Sequence, residues 1–234
     1  DHDNVNPDLT VFRMLENHIQ DVHSRGLALD IRMWGDSGHA WSAEGLPGGI
    51  NGYVDQRLQR YIAARLGALP GWSISYGYDL FEFLSPSQGE VFADYMNDHL
   101  GWPHLFWMRD ENEDSYQSSS EPVVSVNDHP SDPDDIYNTA INRFNEASNN
   151  GRPVLFERNF DNGRWSDEVM RKGLWAFAMA GGAGGHYTDQ TGPDIDTFGA
   201  FWNDHQRLLV DMEPNNGMSG DSNTWVLHSP SQDC

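Results

Sequence analysis

The feature that most restricts the fold of this chain is a regular alternation between short apolar segments and longer amphipathic ones. The apolar segments are predicted to be strands, and they cover residues 27–34, 72–78, 104–108, 122–126 and 153–156. Between them, apolar residues recur at spacings of three and four, which places them on one face of a helix, as Phe12, Leu15 and Ile19 show. Strands that alternate with helices predict a parallel sheet covered by helices.

Residues typical of helix ends support this segmentation. Asn6 followed by Pro7 predicts the start of the first helix, and Gly26 predicts its end. The helix that follows the second strand is predicted to end near Gly101, and Ser166 is the predicted N-cap of a later helix. Residues 176–187 are predicted to hold a helix end and a short, glycine-rich sixth strand. A last helix is predicted near residues 198–209, and residues 225–228 are predicted to begin another β unit.

The number of predicted strands, six, helps to choose between the two common parallel architectures. A closed (β/α)8 barrel has eight strands, whereas an open doubly wound sheet can use six. No glycine-rich phosphate loop follows the first strand, so an open nucleotide-binding sheet is disfavoured. We therefore predict an α/β fold of the TIM-barrel type that is truncated at its N-terminus, with strands 3 to 8 present. Residues 1–222 would form the partial barrel, and residues 223–234 would begin a C-terminal β-domain.

The charge of the chain excludes some classes of partner. It contains 36 acidic and 14 basic residues, a net charge of -22, and Lys172 is its one lysine. Such a surface repels nucleic acid and anionic membranes, so we expect neither as a partner. A well-hydrated soluble surface explains part of the acidity, and adaptation to high salt explains its extent, because salt screens the self-repulsion. With Cys234 as the one cysteine, no internal disulfide and no cysteine-based metal site is expected.

Polar residues at the carboxyl ends of the predicted strands are candidates for chemistry, since that end carries the active site in parallel barrels. Hydrolysis of a glycosidic bond needs two carboxyl groups, one of them to protonate the leaving oxygen. Most acids of so acidic a chain are expected on the surface. Glu157 differs because it directly follows a buried strand and is flanked by Arg158, which would favour its ionised form. Aromatic residues that could stack on sugars are Trp34, Trp41, Tyr78, Trp102, Trp107 and Trp175, although Trp175 lies in a helical stripe typical of core.

Two stretches resemble a known group of proteins. Residues 60–80 read RYIAARLGALPGWSISYGYDL, and residues 152–187 run from RPVLFERNF to LWAFAMAGGAGGHY. Both are similar to clan A glycoside hydrolases, closest to the DUF4038-like, cellulase-like bacterial barrels that often precede a domain thought to bind collagen. The resemblance implies that Glu157 is the nucleophile. It also places Gly77 where the family has its acid/base glutamate, so Asp79 or Glu82 would have to supply the acid.

Three functions stay open at this point. The first is a glycoside hydrolase that acts on a polysaccharide or glycoconjugate through Glu157 with Asp79 or Glu82. The second is a catalytically inactive barrel that binds carbohydrate, because a glycine occupies the acid position. The third is a metal-dependent barrel hydrolase, which is disfavoured because no His-x-His pair lies at a strand end. The residues considered for that metal are His104, Asp128, His129 and His186.

The first hypothesis carries a set of further expectations. Carbohydrate is the expected partner, and neither a cofactor nor a metal is expected. The location in the cell is not given by the sequence, and an extracellular protein is expected if the substrate is a polysaccharide. Residues expected to bind the substrate are Trp34, Tyr78, Arg109, Asp128, His129, His186 and Tyr187.

Overall fold

The structure is a computed structural model of the 234-residue chain. It describes residues 6–35, 43–77, 80–110, 123–126, 133–150, 154–156, 166–182, 193–209, 211–221 and 224–230. The chain divides into two compact units, residues 1–123 and residues 124–234. Within the described residues, no helix is long and apolar enough to cross a membrane.

The first unit alternates helices with parallel strands. Its elements are α1 (Leu9–Ser24), β1 (Leu29–Arg32), α2 (Tyr53–Leu66), β2 (Trp72–Ser75), α3 (Pro86–Leu100) and β3 (Leu105–Asp110). Strand β1 pairs with β2 and β2 pairs with β3, both in parallel, so that Ile31 lies beside Ile74 and Ile74 beside Phe106. The predicted α/β class with parallel strands is confirmed for this unit.

The two faces of this sheet have different chemistry because side chains alternate along a strand. One face carries Ile31, Ile74 and Phe106, which pack in one core with residues of all three helices, among them Ile19 of α1 and Phe92 of α3. The residues between them in sequence lie on the other face, which is polar. This polar face, as we call it below, carries Asp30, Arg32, Ser73, Ser75, Leu105 and Trp107.

Local capping explains where the helices of the first unit begin and end. Asp8, not the predicted Asn6, is the N-cap of α1, because its carboxylate accepts the backbone N–H groups of Thr10 (2.7 Å) and Val11 (3.4 Å). Ser85 and Gln88 form a capping box at the start of α3. Gly101 ends α3 in the left-handed conformation, with φ of 80°, as the sequence predicts.

The second unit contains a parallel strand pair and three helices. Its elements are β4 (Val123–Val126), α4 (Pro133–Asn150), β5 (Val154–Phe156), α5 (Asp167–Met179), α6 (Pro193–Leu209), β6 (Glu213–Pro214) and β7 (Leu227–His228). Strands β4 and β5 are parallel, and the short strands β6 and β7 are antiparallel. The Trp225 ring stacks on the Tyr137 ring of α4, with 5.2 Å between the ring centroids.

The remaining fold predictions have mixed outcomes. Trp175 packs edge-on against Phe198 and Phe201 of α6, as its position in a helical stripe indicates. Residues 176–179 complete α5 and residues 180–182 follow as a turn rather than a strand, whereas residues 183–187 of the predicted segment lie outside the described residues. The eight-stranded barrel stays a prediction, because the strands described are three parallel ones in the first unit and two in the second. The separate β-domain from residue 223 also stays a prediction.

Candidate functional site

The carboxyl ends of β1 and β2 meet at one edge of the first sheet. Past the last paired residues, the backbone contact continues for two more steps: Met33 N–H donates to Ser75 O (3.1 Å) and Trp34 N–H to Tyr76 O (2.9 Å). In parallel sheets, the loops that leave this edge form the ligand site. The segment from Trp34 to Gly35 and the segment from Tyr76 to Gly77 are therefore called the rim here.

A buried carboxylate lies directly behind the rim. Asp55, in the first turn of α2, is 0% exposed and accepts four hydrogen bonds. The donors are Trp34 Nε1 (3.1 Å), the Asn51 backbone N–H (2.8 Å), Gln59 Nε2 (3.1 Å) and the Tyr76 hydroxyl (2.7 Å). One carboxylate thereby joins both segments of the rim to the start of a helix.

The environment of Asp55 sets two electrostatic effects against each other. Burial raises the pKa of Asp55 above its ordinary value, and the hydrogen bonds, that of Tyr76 foremost, act to lower it. The Trp34 indole on Oδ1 and the Asn51 backbone N–H on Oδ2 can only donate, so both carboxylate oxygens must accept, which suits the ionised form. The N-terminal end of α2 favours that negative charge as well. Burial together with the Asp55 charge raises the pKa of Tyr76, so its phenol remains a donor.

The rim leaves no room for a side chain at position 77. A Cβ atom built on Gly77 would lie 2.9 Å from Gly35 O, 3.1 Å from Trp34 O and 3.3 Å from a ring carbon of Phe83. Two of these neighbours are backbone atoms, which cannot rotate away as a side chain can. Position 77, where the sequence resemblance would place an acid/base glutamate, is thus closed to a side chain in the structure.

The segment that begins at Leu80 is held against the core by apolar residues. A 3-10 turn spans Leu80–Glu82. Leu80 is fully buried and Leu84 is nearly so, and both belong to the core of the first unit. Glu82 is exposed on the same turn, close in sequence to the carboxyl end of β2. The two leucines therefore fix a surface carboxylate in the loop that follows β2.

The polar face carries a second carboxylate with specific partners. Asp30 of β1 accepts hydrogen bonds from Ser73 Oγ (2.9 Å) and from the indole N–H of Trp107. The Arg32 guanidinium lies 3.5 Å from Asp30 Oδ2 and 4.9 Å above the centroid of the Trp107 ring. This arrangement joins a cation, an aromatic ring and a carboxylate across three neighbouring strands.

Asp30 differs from Asp55 in being reachable from solvent. Its side chain is 37% exposed. The partial burial that remains raises the pKa of Asp30, and the contacts with Trp107, Ser73 and Arg32 act in the opposite direction. A half-exposed carboxyl with a raised pKa can hold or release a proton nearer to neutral pH than an ordinary aspartate.

Comparison with known proteins adds a likeness to one solved structure. A protein from Bacteroides vulgatus ATCC 8482, whose crystal structure is described as that of a "putative glycoside hydrolase", superposes with a TM-score of 0.59 at 16% sequence identity. The likeness is one of fold. It covers 78% of this chain and 36% of the other, so this chain spans about a third of that protein's length. No family model matches the sequence, and no curated protein matches it.

Three of the residues predicted to form the site can be placed. Trp34 is 8% exposed and packs in the core with its indole N–H on Asp55, so its ring is not an open platform for a sugar. Glu82 is exposed, and Arg109 belongs to β3. The other predicted residues lie outside the described residues: Tyr78, Asp79, Asp128, His129, Glu157, His186 and Tyr187.

Two further tryptophans considered for stacking on sugar are unlike each other. Trp107 is 2% exposed beneath Arg32. Trp102 is 46% exposed, but it precedes β3 and so lies at the end of the sheet opposite to the rim. Neither ring is an exposed surface at the rim.

His104 of the metal hypothesis also precedes β3. Its ring lies between those of Trp72 and Trp102, with centroid distances of 4.2 Å and 4.8 Å, and Nε2 is 3.0 Å from Gly67 O. These contacts account for a structural histidine. In the part of the chain that is described, no group of three or more His, Cys, Asp or Glu residues could hold a metal ion.

Asp30 and Asp55 are not among the residues predicted from the sequence. Asp30 lies inside a strand, but its alternation with Leu29 and Ile31 was a signal that it faces away from the apolar core. Asp55 lies in the first helical turn, where an acid is expected to cap or to face solvent. Its burial depends on Tyr76 and Trp34, which are about 20 residues away in sequence, so no local pattern could have revealed it.

Proposed function

We propose that this protein is a glycoside-hydrolase-like protein of the TIM-barrel type that acts on a polysaccharide or glycoconjugate. The observation that supports the proposal most is the fold likeness to the Bacteroides vulgatus protein, found independently of the sequence motifs that resemble clan A hydrolases. The parallel strands of the first unit, with carboxylates at and behind their carboxyl edge, suit the same chemistry.

The proposed catalytic groups are those that the sequence resemblance implies. Glu157 would act as nucleophile or base, and Asp79 or Glu82 would protonate the leaving oxygen. The anchoring of the turn Leu80–Glu82 by buried leucines supports Glu82 in particular, because a general acid needs a fixed position. Sugar contacts would come from the polar groups of the loops that follow the strands.

A second function is favoured by the closed position at Gly77. A protein that lacks the family's acid, with no space to regain it, could bind a glycan without cleaving it. This alternative uses the same fold and the same sugar contacts, but no proton donor. The two functions differ in turnover alone, and a single set of variants separates them.

The decisive experiment compares Glu157→Gln with the wild-type chain. Both are purified in high salt and screened against a panel of neutral and acidic polysaccharides for release of reducing ends and, separately, for binding. A hydrolase should lose at least about 100-fold in kcat on the substitution while its glycan affinity is retained. Glu90→Gln, on the exposed surface of α3, is the control for the loss of one charge and should retain full activity.

Each other outcome has a definite meaning. Glycan binding without turnover by the wild-type chain supports the inactive binder. Turnover that survives Glu157→Gln contradicts the proposed mechanism, and the absence of both binding and turnover contradicts the carbohydrate function itself.

The acid is assigned by a second comparison. Asp79→Asn and Glu82→Gln are each assayed on glycosides with a poor alkyl leaving group and with a good nitrophenyl leaving group. Loss of the general acid slows cleavage of the poor leaving group far more, because the good one departs without a proton. The variant with this selective loss identifies the acid, and equal losses on both substrates exclude the residue from that role.

A further inference from the structure

We propose that Asp55 is a positioning residue of the carbohydrate site: its buried carboxylate holds the two segments of the rim in register. The inference rests on the proposed function, which does not involve Asp55. Because Asp55 is fully buried, it contacts neither solvent nor substrate. Asp55 would act through Trp34 and Tyr76.

The two oxygens of the Asp55 carboxylate bind different segments of the rim. Oδ1 accepts from the Trp34 indole, and Oδ2 accepts from the Tyr76 hydroxyl. Trp34 follows β1 and Tyr76 follows β2, so one rigid carboxylate spans the two strands beyond the point where their ladder ends. The backbone bond from Trp34 N–H to Tyr76 O completes the link at 2.9 Å.

The link between Trp34 and Tyr76 also affects the residue that follows Tyr76. Gly77 directly follows Tyr76 and lies against the carbonyl oxygens of Trp34 and Gly35. The position of Gly77, the last described residue before the loop that carries the proposed acid, is therefore set by Trp34 and Tyr76. A shift of either aromatic residue would move the start of that segment.

The burial of the charged Asp55 carboxylate needs a physical reason. A buried ion is costly, and well-packed apolar side chains often give equal or greater stability. A carboxylate instead fixes direction, because four donors meet it at defined angles. Oδ2 also accepts the Asn51 backbone N–H, and the Asn51 side chain donates to Gln88 O of α3 at 2.8 Å. The carboxylate thus orients the rim relative to the starts of two helices.

Asp55→Asn tests the role, because it keeps the size of the side chain and turns one oxygen into a donor facing another donor. Asp98→Asn, on the exposed surface of α3, is the matched control. On a glycan that the wild-type chain cleaves, we expect Asp55→Asn to lower kcat by about 10- to 100-fold with a much smaller change in KM. Tyr76→Phe, which keeps the charge, should give a smaller loss of the same kind, and the control should match wild type.

A second readout is independent of catalysis. The indole N–H signal of Trp34, assigned by its loss in Trp34→Phe, should shift in the NMR spectrum of Asp55→Asn, and its hydrogen exchange should accelerate by at least about tenfold. The signal should be unchanged in Asp98→Asn. This measurement does not require a substrate, so it separates a failure of the inference from a failure of the proposed function.

The inference is overturned if Asp55→Asn is folded and keeps both the Trp34 signal and a kcat within about twofold of wild type. It is also overturned if KM is unchanged and the apparent kcat falls only in proportion to the fraction of unfolded protein, because the folded variant is then fully active. If Asp55→Asn does not fold, Tyr76→Phe decides, because a folded Tyr76→Phe with unchanged kcat removes the link between rim and acid. If the protein binds glycans without cleaving them, the same variants are compared by Kd, and an unchanged Kd overturns the inference.

Discussion

Replacing Gly77 by alanine tests whether the rim is closed as the structure indicates. The added Cβ atom would lie 2.9 Å from Gly35 O and 3.1 Å from Trp34 O, closer than such atoms normally approach. The rim must therefore open or distort, and overpacking of this kind costs about 1–3 kcal/mol. For a chain of this size each kcal/mol lowers Tm by about 2–4 °C, so the expected fall is about 2–12 °C.

A second substitution isolates this effect from the general consequence of removing a glycine. Alanine also restricts the unfolded chain, which stabilises the fold by about 0.4–1 kcal/mol wherever it fits. Gly45→Ala provides that reference, because a Cβ atom there meets nothing within 4 Å and the backbone is not left-handed. The difference in Tm between the two variants then measures the closure of the rim alone.

The assay is thermal unfolding followed by circular dichroism at fixed high salt, with the two variants and wild type measured together. A Gly77→Ala variant that melts at or above Gly45→Ala would refute the reasoning, because it would show that the rim admits a side chain. Gly77→Glu tests the consequence for activity. This variant should be destabilised at least as much as Gly77→Ala and should gain no hydrolytic activity relative to wild type.

Two further predictions concern charge. Because the net charge is -22, the free energy of unfolding should rise as salt is increased from about 0.1 M to about 1 M, over which the screening length falls from about 10 Å to about 3 Å. Urea titrations at both salt concentrations measure this free energy. A stability that stays constant or falls contradicts adaptation to salt. The second prediction concerns Asp30, whose pKa is raised by burial, so that the folded chain binds the Asp30 proton more tightly than the unfolded chain does. The stability that this proton contributes is present at low pH and is lost as the pH rises above the pKa of Asp30 in the unfolded chain. Asp30→Asn should therefore flatten the pH dependence of stability above about pH 4, and an unchanged slope would show that Asp30 contributes none of it.

The secondary structure could be predicted from the sequence because its signals are local. Ser166 as N-cap, Gly101 as the end of α3 and the apolar strand segments each depend on a few neighbouring residues. The strand bounds were less accurate: β3 extends two residues beyond its predicted end, to Asp110, whereas β2 is shorter than predicted because Tyr76 continues the apolar run but leaves the ladder. Its hydroxyl turns instead toward Asp55, a residue of the helix before the strand.

The candidate site was harder to predict for the opposite reason. Strand ends could be recognised as places for chemistry, and Glu82 was predicted as a candidate in this way. The closure at Gly77 was not foreseeable, because it depends on the carbonyl oxygens of a neighbouring strand's loop. Trp34 was expected to contact substrate because it follows a strand. In the structure its indole turns inward instead, because its N–H group donates to the buried carboxylate of Asp55.

The two unlike faces of the first sheet bear on how such a protein can change over time. The face that packs on the helices holds the unit together through Ile31, Ile74 and Phe106, and none of these residues reaches the polar face. Asp30 and Ser73 lie outside that packing, so a replacement at Asp30 is felt first by its own partners, Trp107 and Arg32. The architecture therefore keeps variation on one face of the sheet apart from the contacts that hold the helices in place.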